Sequence, residues 1–350
     1  MRAEDSGNSS HGLANDLFSS RPDKEQVLSF ITASKPATMT CSQIALGCEV
    51  LGGNDWGPVD LARARDGVRC ALDCGISVFD TADVYGLGRG EEELSVALGA
   101  DRHRVTIVTK GGVRWTDSDE AGRSPTWRDA SRAYLSSAID SSLRRLRIDA
   151  IPLYLVHCPD PDTPIDETIE CLEQARVSGR ILSYGLSNYD FDSVRAAAAT
   201  CSISAIQGPL NILSSESLLK EYAGARRLGL ATLTYGPLAQ GLLTGKYSPQ
   251  SVFDHTDRRH RLDHFSRDAY ANNHRLLKTL REVSDDVGRS PAQVAIRWVI
   301  DCGVANSVIV GARSPAQVLE NYGAMSLSLS GVHLDKLKTA RRLTGLASAS

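Results

Sequence analysis

Ile76-Ser77-Val78-Phe79-Asp80-Thr81-Ala82-Asp83-Val84-Tyr85-Gly86 runs from a mostly apolar tetrapeptide into a polar loop that closes on glycine. The first four residues read as a strand. Gly86 and Gly88 then free the backbone, and Glu91 to Leu98 starts a helical pattern. A carboxylate, Asp80, and a phenol, Tyr85, therefore fall at the carboxyl end of a strand, the edge where α/β folds gather their chemistry. One tyrosine near a turn is ordinarily just a surface residue, so the rest of the chain must decide its weight.

The same strand-then-helix unit recurs along the chain. Short apolar runs predict strands at 43–46, 76–79, 105–109, 151–156, 181–185, 205–207, 231–235 and 307–310. Between them lie amphipathic helical patterns. Leu135, Ile139, Leu143 and Leu146 recur at spacings of three and four, and 168–178, 192–199, 216–228 and 291–300 behave alike. Eight strands alternating with helices predict an α/β protein with a closed (β/α)8 TIM barrel as a single domain over 39–350. A doubly wound open sheet is the alternative. It lacks support, because no Gly-x-Gly-x-x-Gly follows the first strand, and Gly88-Arg89-Gly90 comes after the second without a third glycine.

The 350 residues are 42% hydrophobic and 23% charged, as in soluble globular proteins. A net charge of −3 argues against a nucleic-acid binder, and no apolar run is long enough to cross a bilayer. The first residues have neither an apolar core nor a basic leader, so a cytoplasmic location is expected. Residues 1–38, rich in Ser, Asp, Asn and Gly, predict a flexible tail with one short helix near 24–31. The eight cysteines are scattered without a Cys-x-x-Cys pair, so no metal site is expected. Cys70 and Cys74 share a helix face and read as reduced core thiols.

Two later strands also end on chemistry-bearing side chains. The third ends Val108-Thr109-Lys110-Gly111, and the fourth Leu155-Val156-His157-Cys158. A lysine closing a strand is more often a solvated edge charge, and a lone histidine more often structural. In a barrel, however, Asp80, Tyr85, Lys110 and His157 share one mouth. Together they suit proton transfer coupled to hydride transfer. A phenol with an ordinary pKa near ~10 is a poor acid at neutral pH. An ammonium at Lys110 would favour phenolate, with Asp80 holding the ammonium, and His157 would orient a carbonyl oxygen. The hydride has to come from a bound cofactor.

With those residues in view, the chain resembles the aldo-keto reductase superfamily, specifically its bacterial and plant branches with long loops, from about Ser42 to Asn321. The motifs are Phe-Asp-Thr-Ala-Asp-Val-Tyr-Gly at 79–86, Val-Thr-Lys at 108–110, Val-His-Cys-Pro-Asp at 156–160 and Gly-Leu-Ser-Asn at 185–188. Gly-Pro-Leu-Ala-Gln-Gly-Leu-Leu-Thr-Gly-Lys at 236–246 and Pro-Ala-Gln-Val-Ala-Ile-Arg-Trp-Val at 291–299 follow in order. The resemblance implies that Tyr85, Asp80, Lys110 and His157 are the catalytic tetrad. It further implies a nicotinamide cofactor, NADP (NADPH) with NAD possible. Ser187, Asn188 and Gln207 would hold the carboxamide, and Tyr235 would stack on the nicotinamide. Gly236, Pro237, Leu238 and Gly241 would follow the pyrophosphate, while Gly311, Arg313, Gln317 and Asn321 would meet the adenosine end. The chain departs from the pattern at Arg313, the one cation in its terminal signature; where Gln317 stands, many members carry Arg. Leu210 stands where an aromatic residue is common.

The resemblance implies a small-molecule carbonyl or alcohol substrate, with a sugar or nucleotide-sugar among the candidates, reduced or oxidised without nucleic acid or membrane. A nicotinamide-binding regulatory module like the β-subunits of potassium channels is a second reading, and a Schiff-base lysine at Lys110 a third. Trp56 and Trp115 are candidate pocket walls. The segment 254–265, with Arg258, Arg259, Arg261 and three histidines, would fold over the cofactor, meet a phosphorylated substrate or stand as a solvated insertion.

Overall fold

The computed structural model describes residues 41–116 and 124–342. The tail expected over 1–38 and its short helix lie outside the described residues. Three strands, β1 (Ile44–Gly47), β2 (Val78–Asp80) and β3 (Thr106–Gly111), are followed by a hairpin of β4 (Val113–Trp115) and β5 (Thr126–Arg128). Then come β6 (Leu153–Val156), β7 (Tyr184–Ser187), β8 (Ala205–Pro209), β9 (Ala231–Tyr235) and β10 (Ser307–Gly311). The parallel strands close in the order β1-β2-β3-β6-β7-β8-β9-β10 and back to β1, which is the expected barrel.

Each expected strand is present, with ends displaced by a few residues for local reasons. Ile76 N–H closes the preceding helix by donating to Ala71 O, so β2 starts later than its apolar run. Ile151 and Ile181 meet only as an isolated parallel bridge ahead of β6 and β7. Several helices start at side-chain caps. Asp60 accepts from Arg63 N, Ser131 from Tyr134 N, and Ser290 with Gln293 forms a capping box before Pro291. The hairpin and the long helix Arg267–Val287 were not foreseen. In that helix Leu276, Leu280 and Val283 form a narrow apolar stripe among many polar residues.

Period-two alternation sorts the strand residues into two cores. Val78, Val108, Leu153, Leu155, Ala205, Leu233 and Ile309 fill the barrel interior. Phe79, Ile107, Tyr154, Val156, Leu186 and Ile206 face outward and pack with the helices. The same parity positions the mouth. Asp80, Lys110, His157, Gln207 and Tyr235 each stand two residues after an inward-facing apolar side chain, so all point inward at the carboxyl end. Among the described residues, no helix is long and apolar enough to cross a membrane.

Candidate active site at the barrel mouth

The carboxyl ends of the strands open into a cleft of about 1240 Å³ lined by Tyr85, Lys110, His157, Tyr235 and Arg313, among others. Drug-sized ligands ordinarily occupy roughly 300–1,000 Å³, so this cleft has room for a cofactor beside a small substrate. At its floor, Lys110 Nζ lies 2.8 Å from Asp80 Oδ1 and donates to Thr81 O, also at 2.8 Å. Gln207 Nε2 donates to the other carboxylate oxygen, Asp80 Oδ2, at 2.7 Å. Lys110 and Asp80 are 1% and 5% exposed, and burial on that scale is tolerable only because each charge is paired.

Tyr85 stands directly above this pair. The Lys110 ammonium is 5.3 Å from the Tyr85 ring centroid, and the His157 ring meets Tyr85 edge-on at 5.9 Å. The four residues expected to act together are therefore brought together. The phenol itself behaves differently from the sequence expectation. It is pushed well above the usual range, first by burial and then by the charges of Glu49 and Asp80, with Arg258 pulling the other way. The ammonium of Lys110 is already engaged by Asp80 and Thr81 O, so it does not bring the phenol down. His157 is lowered to about 3 by burial and by the charge of Lys110, which leaves the imidazole neutral near pH 7. Its Nδ1 has no hydrogen-bond partner among the described residues.

The expected carboxamide contacts form one network. Asn188 takes a left-handed backbone conformation, φ 62°, which asparagine tolerates. Its Nδ2 donates to His157 O at 2.8 Å and to Ser187 Oγ at 3.1 Å, and its Oδ1 accepts from Tyr235 OH at 2.8 Å. The amide is thus oriented by the protein, and Gln207 is tied to Asp80 beside it. Gly236, Pro237, Leu238 and Gly241 line the cleft on a loop of tight turns. Ala239 and Gln240 in that loop hold φ of 45° and 51°, an uncommon conformation for residues with side chains.

At the far end, Gly311, Arg313, Gln317 and Asn321 also line the cleft. Gln317 Oε1 accepts from Arg313 N at 2.8 Å, and Asn321 Nδ2 donates to Gly311 O at 3.3 Å. The Arg313 guanidinium donates to Trp56 O and stands 3.9 Å from Asp257 Oδ2. The segment 254–265 reaches over the mouth through Asp257 and its arginines, while Asp254, His255, His260 and Asp263 are exposed. Asp257 pairs with Trp56 as an antiparallel bridge, and Arg258 and Arg259 lie 5.1 and 5.7 Å from the Trp56 ring. Its three arginines line the cleft and its histidines do not. Trp56 lines the cleft as expected. Trp115 instead lines a separate cavity of about 420 Å³ with Asp83, Arg114 and Tyr134.

A sequence model of the Aldo/keto reductase family matches residues 43–342. The chain belongs to the aldo/keto reductase family. It is an oxidoreductase of that family, and the match runs past Asn321 through the last described helix. Aldo-keto reductase YhdN of Bacillus subtilis (strain 168) is 32% identical over 280 residues, covering 79% of this chain and 83% of that protein. A protein of Oryza sativa subsp. japonica named as a probable voltage-gated potassium channel subunit beta is 29% identical over 300 residues, covering 82% and 88%. Among solved structures, the glycerol dehydrogenase AKR11B4 from Gluconobacter oxydans superposes with a TM-score of 0.80 at 29% identity, covering 92% of this chain and 99% of that one.

Within this aldo/keto reductase, sequence reasoning passed over Glu49 as a pocket residue. Glu49 stands two residues after the end of β1 and lines the cleft. Its signal was available: a carboxylate just after an apolar strand stands at the carboxyl edge of a barrel, as Asp80 does. Its partner, Arg258, lies too far along the chain to be paired with it by spacing.

Proposed function

We propose that this chain reduces a small carbonyl compound to an alcohol with NADPH, with Tyr85 as the proton donor. The carrying observation is the convergence of Tyr85, His157 and the buried Lys110–Asp80 pair at one end of a cleft whose other end reaches Arg313. The residues fit the cofactor. Asn188 retains acceptor capacity toward a carboxamide, Tyr235 presents a ring beside it, and Arg313 offers a guanidinium suited to a phosphate. A reduced nicotinamide held by these residues would supply the hydride.

The chain's own part is binding, orientation and the proton. Neutral His157 donates a hydrogen bond to the carbonyl oxygen and fixes it toward Tyr85. The raised phenol keeps Tyr85 protonated, so its O–H is available as negative charge develops on that oxygen. The phenolate left behind takes a proton back from water.

Replacing Tyr85 by Phe tests this reading. Carbonyl-dependent NADPH oxidation is expected to fall by ~10²–10⁴-fold, the usual worth of a positioned acid, while NADPH affinity stays within a few-fold. A Phe variant with wild-type turnover would remove Tyr85 from the mechanism. The regulatory reading is supported by the potassium-channel relative. NADPH binding without oxidation across a panel of aldehydes and ketones would favour it.

A further inference from the structure

Glu49 opens a short turn, Glu49–Gly52, separated from β1 by Cys48 alone. That turn presses backbone to backbone on the loop carrying Tyr85. A Cβ on Gly52 would sit 2.6 Å from Gly86 N, and one on Gly86 would sit 2.2 Å from Gly52 O. Only two glycines permit so close an approach, and it places the Glu49 carboxylate in the same cleft as Tyr85 and His157. Arg258 reaches it from the other side of the mouth, with Nη2 2.5 Å from Glu49 Oε1 and 3.4 Å from Asp55 Oδ2. Arg258 N–H also donates to Asp55 O at 2.8 Å. The guanidinium lies over Trp56, 5.1 Å from its ring centroid. Glu49 and Arg258 keep 26% and 32% of their side-chain surface accessible, so both remain within reach of a ligand.

None of these groups is needed to move the proton, yet they crowd the space where the rest of a substrate must lie. We propose that Glu49 and Arg258 are the specificity-determining pair. They select a neutral carbonyl compound with hydroxyl groups on the carbons beside the carbonyl, a hydroxyaldehyde or hydroxyketone. This rests on the carbonyl-reductase reading above. A carboxylate only accepts hydrogen bonds and a guanidinium only donates them. Side by side, they offer the alternating acceptor and donor that two neighbouring hydroxyls can satisfy together. A phosphorylated or carboxylated substrate fits poorly. To reach Arg258 it would bring a like charge against Glu49 and Asp55. A plain aliphatic aldehyde would cover both charges and return no hydrogen bonds, the kind of mismatch by which polar pockets reject deoxygenated analogues.

The test compares wild type, Glu49→Gln and Glu49→Leu with glyceraldehyde and propanal, which share a chain length and differ in hydroxyls. The ratio of kcat/KM for the two cancels any effect of Glu49 on the fold, on cofactor binding or on the Tyr85 phenol. Wild type is expected to favour glyceraldehyde at least tenfold. In Glu49→Leu that ratio should fall at least tenfold, chiefly through KM, with Glu49→Gln between. A ratio that holds within twofold in Glu49→Leu overturns the proposal and leaves Glu49 a brace for the 254–265 segment. Faster turnover of glyceraldehyde 3-phosphate than of glyceraldehyde overturns the neutral-substrate part.

Binding of glycerol against 1-propanol to the full-length protein, followed by saturation-transfer NMR, supplies a readout without turnover. Glycerol held no better than 1-propanol overturns the inference even if both aldehydes are reduced. Glu49-dependent glycerol binding with no carbonyl reduced would support the recognition pair and overturn the reductase reading instead.

Discussion

Lys110 Nζ and Asp80 Oδ1 lie 2.8 Å apart at the bottom of the cleft, on adjacent strands and almost entirely out of water. A buried ion pair contributes little net stability, but removing one partner strands the other. The second oxygen of Asp80 is held by Gln207 from across the barrel, so the carboxylate ties β2, β3 and β8 together.

Replacing Asp80 by Leu is therefore expected to destabilise the fold by about 3–5 kcal/mol, because Lys110 is left with Thr81 O alone. Asp80→Asn, which still accepts from Lys110, should lose less. Adding Lys110→Met to Asp80→Leu should recover part of the loss. Urea unfolding midpoints of the four proteins check the order, and a double variant no more stable than Asp80→Leu would contradict the pairing argument.

His157 gives the fold a specific dependence on acid. Its folded pKa is lowered to about 3, below the ordinary value of 6.5, so between those values the unfolded chain binds the proton and the folded chain does not. Stability therefore rises with pH across that window and is lost as pH falls through it, by at most about 1.4 kcal/mol per pH unit from this group. Above pH 6.5 the imidazole is neutral in both states and contributes no slope. Carboxylates titrate in the lower part of the window, so the measurement is a difference. Wild type should lose stability faster than His157→Gln between pH 6.5 and 5, and parallel curves would show that His157 ionises freely.

Under the proposed NADPH reading, Arg313 would set the cofactor preference against an existing claim on its side chain. Its guanidinium donates to Trp56 O and faces Asp257, whose carboxylate is already gripped by Arg259 through Nε at 2.9 Å and Nη2 at 2.5 Å. A 2′-phosphate must draw Arg313 away from that contact. Charge-assisted hydrogen bonds are worth about 1.5–3 kcal/mol, so Arg313→Ala should weaken NADPH binding by roughly 10–100-fold. NADH, which has no 2′-phosphate, should change by less than about threefold. Equal losses in fluorescence titrations with the two cofactors would show that Arg313 does not read the phosphate.

The barrel was legible because its strands are short apolar runs with turn signals between them, and the convergence of the candidate residues because strand parity sends Asp80, Lys110 and His157 inward from strand ends. What escaped depends on long-range packing. The Glu49–Arg258 pair joins the first loop of the barrel to a segment near the end of the chain, and no spacing rule links them. The direction of the Tyr85 shift was misjudged for the same reason: Lys110 was visible in the sequence, whereas the burial of the phenol and the nearby Glu49 charge were not. The hairpin β4–β5 escaped because each strand has only three residues, too few to show an alternation.

Gly86 tests whether the contact between the two loops holds Tyr85 in place. Its φ of 61° already disfavours a side chain, and a Cβ there would meet Gly52 O at 2.2 Å and Gly52 Cα at 2.6 Å. Gly288→Ala is the control, because Gly288 has φ 61° and ψ 38° with nothing within 4 Å of its Cβ position. The control should lose only the conformational term, about 1–2 kcal/mol. Gly86→Ala should lose that and a further ~1–3 kcal/mol for forcing the loops apart. The activity readout separates the two effects. Moving the Tyr85 loop off the Glu49–Gly52 turn should cut kcat at least tenfold in Gly86→Ala while NADPH binding at the Arg313 end persists, whereas Gly288→Ala should keep its kcat. Equal kcat in the two variants would mean that Tyr85 is positioned from below, by Lys110 and His157, and not by the glycine contact beside it.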